Sequence, residues 1–187
     1  MKARFEELYR THRDTVYNYL YYMCREEELA KDLAQETFLK IFQGMHRFRR
    51  DCSEKTWCLT IARNTFLSYA RKKQPLLLEK FPPEQYQTWR NSPEDRVIRQ
   101  EEGALVRNVL AMLREEERTL LLLRDCEGIA YEEISRLLGI TKDNVKVRLH
   151  RARKKYQKLY LSARDKRCGA EIKKTASEGG CGTEIKE

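Results

Sequence analysis

Apolar residues recur at three- and four-residue spacing through most of the chain, and the alternation that marks a strand is absent. Residues 2–24 carry Phe5, Leu8, Tyr9, Val16, Tyr17, Leu20 and Cys24 on such a stripe, which predicts a long amphipathic helix. A second helix is predicted from about Glu27 to Met45, with Leu29, Leu33, Phe38, Ile41, Phe42 and Met45 inward and Asp32, Gln35, Glu36 and Lys40 outside. Gly44 weakens its end. A third starts near Ser53 and runs to about Lys73, where Trp57, Ile61, Ala62, Phe66 and Tyr69 can pack inward. The tyrosines at 17, 19, 21 and 22 read as core and rim rather than as a base-stacking surface.

Punctuation divides the chain after that bundle. Pro75 ends the third helix, and residues 75–91, interrupted by Pro82 and Pro83, read as a linker. Its apolar residues (Leu76, Leu77, Leu78, Phe81, Tyr86 and Trp89) are many for a solvated tether, so either docking on a partner or packing on the bundle would explain them. Ser92-Pro93-Glu94-Asp95 is a helix start, with Ser as N-cap, Pro in the first turn and acids facing the dipole. A helix over 93–113 leads into 115–126, and residues 128–158 then read as two helices joined by a tight turn. Ile134, Leu137 and Leu138 lie on one side of the first, Gly139 stands where it must stop, and Thr141 caps the second. This is helix-turn-helix spacing. The expected fold is all-α: two small helical domains, 1–74 and 93–161, joined by a linker over 75–92, with a C-terminal helix-turn-helix. Residues 162–187, poor in apolar side chains, are expected to be a disordered tail.

The last helix points to the chemistry. At about 100° per residue, Val145, Leu149, Ala152, Tyr156 and Leu159 share one face, and Asp143, Asn144, Val147, His150, Arg151 and Lys154 the other. Between Lys142 and Lys158 there are eight Lys or Arg and one acid. That composition suits a helix reading the major groove with longer cations on phosphates. Charge along the whole chain agrees. The net +9 is divided into +5 over residues 1–74, −1 over 75–113, +4 over 114–161 and +1 over 162–187. Two basic blocks flanking a slightly acidic span suggest two contacts with a polyanion. No apolar run approaches the ~20 residues that cross a bilayer, and Met1–Arg13 is polar and charged rather than a signal peptide. A cytoplasmic protein without membrane insertion is expected. The six cysteines form no CxxC pair and read as reduced thiols, with no metal site or cofactor.

Taken in order, these elements resemble an extracytoplasmic-function (group IV) sigma factor of the sigma-70 family, a promoter-recognition subunit of bacterial RNA polymerase. The resemblance covers about residues 1–160 and rests on three motifs. DLAQETFLKIF (32–42) is similar to the helix that docks on the clamp helices of the polymerase beta-prime subunit. TWCLTIARNTFLSYARKK (56–73) is similar to the segment that opens the minus-ten element, and EGIAYEEISRLLGITKDNVKVRLHRARKK (127–155) to the minus-thirty-five reader. The resemblance implies region 2 over 1–74 and region 4 over 93–161. It implies polymerase contacts at Asp32, Gln35, Glu36 and Phe38, and minus-ten contacts at Arg63, Asn64, Arg71, Lys72 and Lys73. The loop from Phe48 to Lys55 would form the pocket for a flipped base. Minus-thirty-five contacts would come from Thr141, Asp143, Asn144, Lys146, Val147, Arg148, Arg151, Lys154 and Lys155. The implied partners are core RNA polymerase (beta-prime clamp helices and beta flap), promoter DNA and an inhibitory anti-sigma factor. Two departures stand out: Arg114 replaces a proline common before this helix, and Asp143, Asn144 and Val147 replace a common Gly, Thr and Ser.

A conventional helix-turn-helix regulator with an N-terminal sensor is the alternative, but it needs neither the first basic block nor DLAQETF. No catalytic residues are expected. The chain lacks a phosphate-cradling Gly loop, a metal-ligand cluster and a pair of carboxylates placed on a pocket.

Overall fold

The computed structural model describes residues 2–48, 50–73 and 103–178, with the side chains of Lys73 and of 166–178 excepted. Helix α1 (Lys2–Cys24), α2 (Glu27–Gly44) and α3 (Glu54–Lys73) form a first three-helix unit in which every pair is in contact. Val16, Leu20, Leu33, Ile41, Leu59 and Ala62 meet at its centre, all essentially inaccessible to water. Each valine, leucine or isoleucine so buried contributes about 1.5–3 kcal/mol. α3 begins at Ser53, whose hydroxyl accepts the Thr56 N–H at 3.1 Å and whose carbonyl accepts that of Trp57. Between α2 and α3 the chain makes a 3-10 turn (Met45–Arg47) and a short loop in which Arg50 adopts the left-handed region, φ 60°. Non-glycine residues rarely accept that conformation without local support.

The second unit comprises α4 (103–111), α5 (Glu115–Leu121), a π-helical turn (Leu122–Cys126), α6 (Tyr131–Leu138) and α7 (Lys142–Glu178). Arg114 sets the start of α5 through its backbone, donating its N–H to the Glu117 carboxylate at 2.8 Å. A proline there could not make that bond. Gly139 closes α6 at φ 66°, Ile140 N–H returns to the Ser135 carbonyl, and Thr141 Oγ1 accepts the Asn144 N–H at the head of α7. The helix-turn-helix thus stands where the sequence pattern puts it. Val145, Leu149 and Ala152 of α7 are buried against Leu120–Leu123 and Ile134, and the buried side chains of both units form one continuous cluster.

Several expectations are corrected. α7 does not stop at Leu161; it continues through Glu178, because residues 162–178 hold no proline and are rich in Ala, Arg, Lys and Glu, which favour helix. The tail is therefore not disordered from 162 onward. The helix expected over 93–113 ends at Ala111, where the chain turns through Met112 and Leu113 into α5. Tyr9 and Phe42, assigned to the inward stripe, are partly open to solvent. The linker at 75–92 and the capped start at Ser92 lie outside the described residues. Among the described residues no strand occurs, and no helix is long and apolar enough to cross a membrane.

Candidate nucleic-acid interface

The outer face of α7 presents Thr141, Asp143, Asn144, Lys146, Val147, Arg148, Arg151 and Lys154 to solvent, while Lys155 is half-buried. The structure divides this set. Arg148 pairs with Glu116 at 3.4 Å, Lys155 with Glu117 at 2.7 Å, and Lys146 with Asp143 at 3.0 Å, one helical turn away. Lys142 pairs with Glu132, and Arg153 donates from Nε to Asp125 at 3.0 Å. Arg151 and Lys154 have no such partner among the described residues, so their charges are free for a polyanion. Acids of α5, the π-helical turn, α6 and α7 itself thus pair with the flanking cations of α7, and the centre of its face stays open. Burial works against the Glu117 carboxylate, but bonds from Lys155 and the Arg114 N–H outweigh it and hold the carboxyl below its ordinary range.

On the first unit, Asn64 and the side chains of Arg71 and Lys72 are exposed along α3. Among the described residues Arg71 donates only to its own helix, to the Leu67 carbonyl and Ser68 hydroxyl. Arg63 departs from the others. Its side chain is only 17% exposed and lies 3.6 Å from Glu115 of the second unit. The Lys73 side chain lies outside the described residues. Before α3, Phe48 stacks on Trp57 at 4.7 Å between ring centroids, which fixes one wall of the loop carrying Arg50.

The polymerase-contact candidates lie on α2. Asp32, Gln35 and Glu36 are exposed, with Glu36 paired to Lys40 at 2.6 Å, whereas Phe38 is buried edge-on against Tyr9. Gln35 and Phe38 line a groove of about 960 Å³ between α1 and α2, walled by Phe5, Tyr9, Leu39 and Phe42. Leu39, 62% exposed, was not singled out by sequence reasoning. Its signal is a leucine lying off the inward stripe of its own helix. Two of the thiols are buried and inert: burial raises the Cys24 pKa to about 11 and that of Cys58 to about 12, so both stay protonated.

Residues 8–75 match sigma-70 region 2, and residues 104–155 match sigma-70 region 4. The chain is 34% identical to the RNA polymerase sigma factor YlaC of Bacillus subtilis, over 88% of its own length and 98% of the relative's. The chain belongs to the extracytoplasmic-function sigma factors of the sigma-70 family. The family relation extends to the ECF sigma factor SigM of Bacillus subtilis, 29% identical over 83% of this chain and 94% of that one. The solved structure of the sigma factor RpoE with the anti-sigma factor NepR from Bartonella quintana has the same fold. It gives a TM-score of 0.67 at 22% identity, over 83% of this chain and 96% of that one. In this sigma factor the first unit therefore carries region 2 and the second region 4.

Proposed function

We propose that this sigma factor divides its contacts as the exposed side chains divide. α7 lies in the major groove of the minus-thirty-five element, with Arg151 on a base edge and Lys154 on phosphate, while Thr141, Asp143, Asn144 and Val147 line the near end of the groove. Lys146, Arg148 and Lys155 sit at the flanks, their geometry held by carboxylates. Region 2 takes the minus-ten strand along α3, with Asn64 presenting an amide to a base, Arg71 and Lys72 facing the backbone, and Arg63 and Lys73 as further backbone contacts, Arg63 by leaving Glu115. The segment over 48–55, which runs into the first turn of α3, receives a base drawn out of the stack. Asp32, Gln35 and Glu36 contact the polymerase clamp, and the buried Phe38 supports that surface rather than reaching across it. The factor acts in the cytoplasm, where polymerase is, and is itself non-catalytic.

The observation that carries this reading is the pair of unpaired cations at the centre of the α7 face, in a chain that also has region 2 ahead of it. A conventional repressor or activator would not need the second feature. The sigma factor of similar fold from Bartonella quintana was solved with the anti-sigma factor NepR bound, which supports a search for such a partner here. The deciding experiment is run-off transcription from genomic fragments with purified core polymerase. Discrete promoter-dependent transcripts are expected only when the protein is added. Transcripts that do not depend on it would overturn the assignment.

A further inference from the structure

Val147 breaks the chemical pattern of the outer face of α7. It is 48% exposed and lies outside the buried cluster, whereas Val145, two residues earlier and about 200° around the helix, is fully buried. Its neighbours one turn away are polar and exposed: Asp143 and Asn144 before it, His150 and Arg151 after it. A lone apolar side chain is ordinary on a surface. This one, however, is β-branched, a class that forms helix less readily than alanine, arginine or lysine. It costs helix stability and receives no burial in return, which marks a position serving a contact outside the chain. Asn144, Val147 and Arg151 form one row, spaced by three and four residues. The row is about 10 Å long, close to the rise of three base pairs at ~3.4 Å each. On either side, Asp143 is tied to Lys146 at 3.0 Å and Arg148 to Glu116 at 3.4 Å, so those charges are already paired. An amide in the major groove matches adenine and a guanidinium matches guanine. An isopropyl group matches neither. The apolar feature that the groove offers it is the C5-methyl of thymine.

We propose that Val147 specifies a thymine in the minus-thirty-five element, packing its γ-methyls on the C5-methyl between the bases faced by Asn144 and Arg151. This rests on the assignment of α7 to that element and adds a base identity to it. The valine side chain has one strongly preferred rotamer in a helix, so it loses little freedom on contact. Removing one methyl from such a contact weakens binding about fourfold. Cytosine lacks the methyl and 5-methylcytosine carries it at the same ring position, so the contact also distinguishes those two bases.

The test uses holoenzyme made with full-length wild type, Val147→Ala or, as control, Leu161→Ala, which removes an exposed apolar side chain farther along the same helix. Alanine is the best helix former, so neither variant endangers α7. Wild-type holoenzyme first selects from random-sequence duplex DNA long enough to hold both promoter elements. The selected upstream sequence is then remade with each thymine in turn replaced by uracil, which removes only the C5-methyl. Fluorescence anisotropy is expected to find one thymine whose replacement weakens wild type and Leu161→Ala about fourfold, while Val147→Ala binds both duplexes alike. With cytosine or 5-methylcytosine placed at that position, wild type should favour the methylated base by a similar factor and Val147→Ala should not. Equal binding of methylated and unmethylated duplexes by wild type in either pair, or an upstream sequence without thymine, would overturn the methyl contact and leave α7 as the reader. A methyl effect that persists in Val147→Ala, or that vanishes in Leu161→Ala as well, would overturn its assignment to Val147. Absence of any selected upstream sequence would instead sink the minus-thirty-five assignment, and the proposal with it.

Discussion

The Arg118 guanidinium of α5 donates to the Met23 carbonyl at the end of α1, 2.9 Å away and ninety-five residues earlier in the chain. The same fork donates to the Leu110, Ala111 and Leu113 carbonyls. One side chain therefore caps two helix ends at once, where unsatisfied carbonyls and the negative end of the helix dipole both favour a cation. Burial lowers the Arg118 pKa, yet a guanidinium stays charged at any physiological pH. Arg118→Ala leaves several carbonyls unpaired and should cost about 2–4 kcal/mol. For a chain of this size that lowers the melting temperature by roughly 4–16 °C. Arg118→Lys should recover only part of it, because an ammonium cannot reach both helix ends. Thermal unfolding followed by circular dichroism checks both, and a full rescue by lysine would refute the bridging role.

Gly139 provides a second stability test with a different cause. A Cβ there would meet no atom within 4 Å, so only the backbone conformation at φ 66° resists substitution. Gly139→Ala should destabilise region 4 by about 1–2 kcal/mol, the cost of the left-handed region for an ordinary residue. Gly139→Asn should cost less, since asparagine tolerates that conformation. Urea unfolding of the two variants ranks them. Equal losses would place the cause in packing instead.

What the sequence disclosed follows from the range of the interactions involved. α1, α2, α3 and α6 and the turn at Gly139 were legible because periodicity, caps and glycine act within a few residues. The groove beside Leu39 was not, since a stripe shows which residues can be buried but not which remain uncovered when two helices diverge. Contacts such as Ser53 with Glu133 join residues eighty positions apart and leave no local trace. The same gap hid the place of Arg63, which sequence reasoning set beside Asn64 as a free cation and the structure sets against Glu115. The helical run after Leu161 was missed because low apolar content was read as disorder, although the same residues have good helix propensity.

The division of the α7 face makes a kinetic and thermodynamic distinction. Arg151→Ala should weaken binding to the specific promoter by about 1–3 kcal/mol while leaving scrambled duplex nearly unaffected. Lys154→Ala should weaken both alike and reduce the salt dependence of binding by about one counterion. Arg148→Ala should act less on DNA than on stability, because Glu116 already holds that guanidinium. Electrophoretic mobility shifts of holoenzyme over a salt series separate the three. Identical losses for Arg151 and Lys154 on both duplexes would remove Arg151 as a base reader.

His12 gives the protein a pH dependence near neutrality. Burial on α1 disfavours the charged imidazole, Lys55 acts in the same direction, and Glu54 and Glu127 oppose them without prevailing, so its pKa falls below the ordinary 6.5. The sign follows from proton counting. In the window below 6.5 the unfolded chain holds a proton on His12 that the folded chain does not, so stability rises with pH. The contribution of the neutral ring is complete above 6.5 and declines as pH falls towards the folded value. Glu132, Glu133 and Glu117, whose carboxyls are held below their ordinary 4.5, add losses only in more acidic solution. Urea unfolding at about pH 7.5 and pH 5.5 should therefore show wild type less stable at the lower value. His12→Gln, which keeps a polar side chain but cannot take the proton, should flatten the slope between them. The same slope in both proteins would assign the effect to another group.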